Sequence, residues 1–145
     1  MSPAADAVLC FQEMHLRSPA PLAHLFPAYH HCSSFRPDGW GGITTLIPDG
    51  FTVLSETTYD FLVGGLCTNS HAKILVLNVY IPPTSSHAAP CDYSSCLADI
   101  HQWVNLIRLT TGTIDQVIWC GDFNARIGQR LYPDTADSTT NTRGL

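Results

Sequence analysis

Three sets of polar side chains stand where apolar runs stop, and their types could do chemistry. Glu13 follows Gln12 at the end of the run at residues 7–11 (AVLCF). Asp122 and Asn124 follow residues 116–120 (QVIWC) in the string Gly121-Asp122-Phe123-Asn124. Asn78 and Tyr80 alternate near the end of residues 73–81 (KILVLNVYI), just before Pro82-Pro83. A carboxylate can hold a hard cation or carry a proton, and an amide can hydrogen-bond an oxygen that gains negative charge. Each set also has a plain reading: a solvated strand end for Glu13, an Asx turn for Asp122-x-Asn124, and a half-exposed strand for Asn78-x-Tyr80. In extended chain the period of two would put Asp122 and Asn124 on one side and Phe123 on the other, as a core anchor.

Such groups need rigid elements behind them, and the chain reads mostly as short strands. Residues 7–11 form a continuous apolar run, as a strand covered on both faces would. Residues 16–39, with Pro19, Pro21, Pro27 and Pro37, read as a long surface connection with one short helical turn. Residues 43–47 (ITTLI), the turn residues Pro48-Asp49-Gly50 and residues 51–54 read as a hairpin of antiparallel neighbours. Residues 60–66 and 73–81 form the next strand pair, and Pro82-Pro83 ends the second. Over residues 92–109, Leu97, Ile100, Val104 and Ile107 recur every three or four positions, which predicts one helix packing on a sheet, started by Asp92 or Ser94. Strands placed this way show functional groups at their ends. Residues 131–145 read as a polar, flexible tail.

Composition narrows the function classes. At 145 residues with 45% hydrophobic side chains, the chain suits one domain or part of one and excludes wholesale disorder. Its formal net charge of -5 argues against strong non-specific DNA binding by this chain alone. No apolar run is long enough to cross a bilayer, and the N-terminus lacks the basic start of a signal peptide, so an intracellular protein, nuclear or cytoplasmic rather than secreted, is expected. The six cysteines include no CxxC pair and read as reduced, mostly buried thiols. A zinc module built on His30, His31, Cys32 and other cysteines is a weaker alternative.

Taken in order, these features resemble the endonuclease/exonuclease/phosphatase superfamily, the deoxyribonuclease-I-like metal-dependent phosphodiesterases. The string WCGDFNARIG at residues 119–128 is most similar to the endonuclease domain of non-LTR retrotransposons, as are AVLCFQEMH, GWGGITTLI, LVLNVYIPP and the terminal NTRGL. The resemblance spans nearly the whole chain. It implies an α/β fold, a four-layer α/β/β/α sandwich, and a Mg²⁺-dependent endonuclease, with Mn²⁺ as a substitute ion, that nicks DNA by attack of water on phosphorus.

Carried over by position, the resemblance implies that Glu13 is a metal ligand. Asp122 would orient or deprotonate the attacking water or protonate the leaving oxygen, Asn124 would bond the phosphoryl oxygens, and Tyr80 would lie near the scissile phosphate. Asn78 and Arg126 become substrate-binding candidates; Arg126 and Arg130 read equally well as solvated arginines. The family's Tyr-x-Pro-Asn pattern is broken here by Pro83, and its late Ser-Asp-His motif has no counterpart, because no histidine follows Asn124. The family's opening strand and helix also lack room before Gln12, so the chain reads as a single incomplete domain. Three readings follow: a retrotransposon-type DNA-nicking enzyme, with DNA and a reverse transcriptase domain as partners in a longer parent; a superfamily member acting on another phosphoester; or an inert fragment or relic.

Overall fold

The computed structural model describes residues 7–82 and 93–124. Its elements in chain order are β1 (Leu9–Phe11), α1 (Ala20–Leu25), β2 (Tyr29–Ser34), β3 (Ile43–Pro48), β4 (Thr52–Tyr59), β5 (Leu62–Thr68), β6 (Lys73–Tyr80), α2 (Tyr93–Thr111) and β7 (Gln116–Asp122). They form two sheets, one in the order β1-β3-β2 and one in the order β4-β5-β6-β7. All pairings are antiparallel except β6 with β7, which follow a crossover through α2 and run parallel.

The sheets face each other, and their alternation sorts the side chains. Ile43 and Ile47 from the first sheet meet Val63, Cys67 and Tyr80 from the second, with Cys32 among them. The opposite face of β5 and β6, with Leu62, Leu75, Leu77 and Val79, packs against Cys96, Ile100, Trp103, Val104 and Ile107 of α2. The helical stripe expected from Ile100, Val104 and Ile107 is therefore the buried one. Trp103 packs over β5 because Gly64 leaves the space: a Cβ there would stand 2.4 Å from the indole. Over the outer face of the first sheet, the Phe26 ring at the end of α1 stands 6.2 Å from Phe11 and 5.9 Å from Tyr29. The layers thus run α1, sheet, sheet, α2, the α/β sandwich expected.

Three expectations fail. Residues 43–47 and 51–54 do not form a hairpin: β3 pairs with β1 and β2, whereas β4 pairs with β5 in the other sheet. The turn at residues 48–50 carries the chain between sheets, and the alternating exposure of β4 suits an edge strand. Second, the stretch read as a surface connection contains β2, whose sequence YHHCSS buries only Cys32 and so lacks a strand's apolar signature. Third, not every cysteine is a thiol. Cys10, Cys32, Cys67 and Cys120 are free, but Cys96 is disulfide-bonded. Among the described residues, no helix is long and apolar enough to cross a membrane.

Candidate active site

β1 and β7 lie over one another at one side of the sandwich, and the polar strand ends gather there. The parallel register sets Tyr80 beside Asp122 and Asn78 beside Cys120, so all four face the other sheet. The Cys120 thiol donates to Leu77 O at 3.4 Å, within the second sheet, while β7 packs against β1 across the interface. This approach of β6 and β7 requires glycine at position 121, where φ is +134° and a Cβ would fall 1.8 Å from the Val79 carbonyl oxygen.

Glu13 reaches the same mouth from the other sheet. Beyond β1 the chain follows the glycine loop, with the Met14 N–H donating to Gly42 O at 3.2 Å and the His15 N–H to Gly41 O at 2.8 Å. Glu13 and His15 adopt φ of +51°, and Asn124 adopts +49°. These are the described non-glycine residues in the left-handed region, and all of them border this mouth. Such conformations cost about 1–3 kcal/mol each and persist where surrounding contacts enforce them. Here the Tyr80 hydroxyl donates a short hydrogen bond to Glu13 Oε1. Among the described residues nothing else hydrogen-bonds that carboxylate, so its second oxygen is open to another partner.

The electrostatics join both acids to one phenol. Burial, the hydrogen bond to Glu13 and the negative charges of Glu13 and Asp122 together push the Tyr80 hydroxyl well above the ordinary tyrosine range. Tyr80 therefore stays protonated and acts as a donor to Glu13. Asp122 ends β7 in an Asx turn, accepting the Asn124 N–H on Oδ1 at 2.7 Å. The Asn124 amide also reaches back, with Nδ2 donating to Ile81 O at 2.8 Å. Asp122 and Asn124 are thus not related by extended-chain alternation; the turn brings them together, while Phe123 packs on the core as expected. The Asx turn of the plain reading is present.

Asn78 lies between the two sheets. It is buried, donating from Nδ2 to Phe11 O at 3.2 Å and to Thr44 O at 3.0 Å, while its Oδ1 accepts from Gln12 Nε2 at 2.5 Å. Both of its amide donors go to backbone carbonyls and its oxygen accepts from Gln12. It is a positioning residue that fastens the Gln12-Glu13 segment to β6. Arg126 and Arg130 lie outside the described residues, as do Asp92 and residues 131–145. Sequence reasoning missed Gln12 as the partner of Asn78, and it missed Trp40. Trp40 is 60% exposed beside the glycine loop, with His15 edge-on to it at 6.0 Å between ring centroids. The only signal for Trp40 was an aromatic placed just before two glycines.

Glu13 and Asp122 offer only oxygen donors, and Glu13 keeps one oxygen open. That suits Mg²⁺, which takes one or two carboxylates and otherwise water. The donors present thus fit the ion that the resemblance implies.

Residues 3–145 match the sequence profile described as the Endonuclease/Exonuclease/phosphatase family. No curated protein matches the chain. Among solved structures, a truncated TDP2 from Caenorhabditis elegans is similar at a TM-score of 0.59 with 21% identity, covering 82% of this chain and 50% of that one. An AP endonuclease from Archaeoglobus fulgidus is similar at a TM-score of 0.51 with 19% identity, covering 83% of this chain and 48% of that one. The chain therefore spans about half the length of the structures it matches.

Proposed function

Since the chain belongs to the endonuclease/exonuclease/phosphatase family, we propose that it supplies part of the active site of a Mg²⁺-dependent phosphodiesterase that nicks DNA. The observation that carries this reading is the mouth where Tyr80 bonds Glu13 from one sheet and sits in register with Asp122 from the other. The gathering of left-handed residues around it supports the same reading, since enforced strain concentrates at functional sites. Mg²⁺ held at Glu13 would supply positive charge to the phosphate and acidify a water.

The chain's own groups then divide the work. Tyr80 keeps Glu13 aimed into the mouth. Asp122, fixed by the Asn124 N–H, takes the proton of the attacking water or returns one to the leaving oxygen. The Asn124 amide would bond the phosphoryl oxygens as they gain charge. Trp40 offers a flat apolar face to a base next to the cut. The finer assignment to a non-LTR retrotransposon endonuclease, joined in its parent to a reverse transcriptase and acting inside the cell, rests on the string WCGDFNARIG.

Nicking of supercoiled plasmid by the purified protein, with Mg²⁺ or with chelator, tests the proposal. Activity should require Mg²⁺ and fall by at least about 100-fold in Glu13→Gln and Asp122→Asn. Undiminished Mg²⁺-dependent nicking in both variants overturns it. A panel of RNA, nucleotide and inositol phosphoesters separates DNA from other substrates.

A further inference from the structure

The edge of the sandwich away from β1 and β7 carries a second set of convergent side chains. β2 closes one edge of the first sheet and β4 closes an edge of the second, and no backbone ladder joins them. His30 and Cys32, two apart on β2, project from the same face toward β4. There Glu56 Oε2 receives both: His30 Nε2 lies 2.7 Å from it and the Cys32 thiol donates to it at 3.1 Å. One ligand atom from each of the three side chains lies within 4.8 Å of the others.

We propose that His30, Cys32 and Glu56 form a zinc site that clips the two sheets together at this edge. Nitrogen, sulfur and carboxylate oxygen are the ligands that zinc takes in tetrahedral array, at about 2.0–2.3 Å. At those bond lengths tetrahedral ligand atoms stand about 3.3–3.8 Å apart. Small side-chain movements bring these three to that spacing, because the His30 and Glu56 side chains are 46% and 47% exposed and have room to turn. The same exposure leaves a fourth position for water.

Binding releases the Cys32 thiol proton to solvent as the sulfur–zinc bond forms, and no oxidation is involved. Thiolate and carboxylate together then balance the charge of the ion beside a neutral imidazole. The adjacent His31 takes no part: it faces the other side of β2, where Nε2 lies 2.9 Å from Phe26 O. The proposed ligand set thus differs from the module of His30, His31, Cys32 and other cysteines that the sequence suggests, with Glu56 from the opposite sheet in place of His31 and the other cysteines. A thiolate and an imidazole also disfavour Mg²⁺, which separates this site chemically from the oxygen donors at Glu13.

Titration of the purified chain with Co²⁺ and Zn²⁺ tests the site. The proposal predicts one ion per chain with thiolate ligation, read as a thiolate-to-cobalt charge-transfer absorption that Zn²⁺ displaces, and a higher unfolding midpoint with zinc. Loss of an outer-sphere partner already weakens metal sites by up to about 100-fold, so His30→Gln and Glu56→Gln, both at half-exposed side chains, should weaken zinc binding by at least that factor. Cys32→Ser removes the charge-transfer band, and Glu13→Gln leaves that band unchanged. A cobalt spectrum without thiolate charge transfer, or equal zinc affinity in His30→Gln, Glu56→Gln and the parent, overturns the proposal.

Discussion

Replacing Asn78 by alanine probes how the strand before Glu13 is held. The side chain is 0% exposed and spans the gap between sheets with three hydrogen bonds, to Phe11 O, to Thr44 O and from Gln12 Nε2. Such bonds contribute about 1 kcal/mol each, and a buried polar group that loses its partner costs about 1–3 kcal/mol more. Since alanine also leaves a small void, a loss of about 3–5 kcal/mol is expected, a large fraction of the roughly 5–15 kcal/mol that holds an average domain. Urea unfolding followed by tryptophan fluorescence reads this as a lower midpoint at unchanged slope. Asn78→Asp should do no better, because an ionised carboxylate cannot donate to two carbonyls. A midpoint for Asn78→Ala within about 0.5 kcal/mol of the parent, the scatter of surface substitutions, would refute the bridging role.

Gly121→Ala drives a methyl into the Val79 carbonyl and should cost at least about 3 kcal/mol, with loss of amide-exchange protection along β7. Tyr80→Phe removes the donor to Glu13 and should raise the Mg²⁺ concentration for half-maximal nicking by about 10-fold. The same variant has an alkaline signature. The folded Tyr80 hydroxyl is raised, so its contribution to stability is whole below the ordinary tyrosine value of 10.0 and is lost as pH climbs above it, an arm that Tyr80→Phe flattens in pH-dependent unfolding. Trp40→Ala should raise KM for DNA by about 10-fold with kcat changed by less than about two-fold, since base stacking contributes about 1–3 kcal/mol.

What the sequence disclosed follows the physics of its signals. Glu13 and Asp122 were legible because a charged residue ending an apolar run is a local feature, and the stripe Ile100, Val104, Ile107 because helical period survives in any context. The sheet partners of β3 and β4 were not legible, because Pro48-Asp49-Gly50 turns the chain equally well within a sheet or between two. β2 was hidden by its polar residues, among which Cys32 alone is buried. Asn78 carried an ambiguous signal: an amide in an apolar strand can face a ligand or bridge backbones, and only the opposite sheet, far away in sequence, decides. Glu56 gave no sign of its partners, since His30 and Cys32 meet it only through the packing of two edge strands.

The central claim is that one acid from each sheet borders a single hollow at the β1–β7 side. Paramagnetic broadening of backbone amide resonances by Mn²⁺, standing in for Mg²⁺, measures this directly. The account predicts that the signals of Glu13, Tyr80, Asp122 and Asn124 broaden together at substoichiometric ion, and that Glu13→Gln abolishes the effect at all four. Broadening at Glu13 with Asp122 and Asn124 untouched would contradict it.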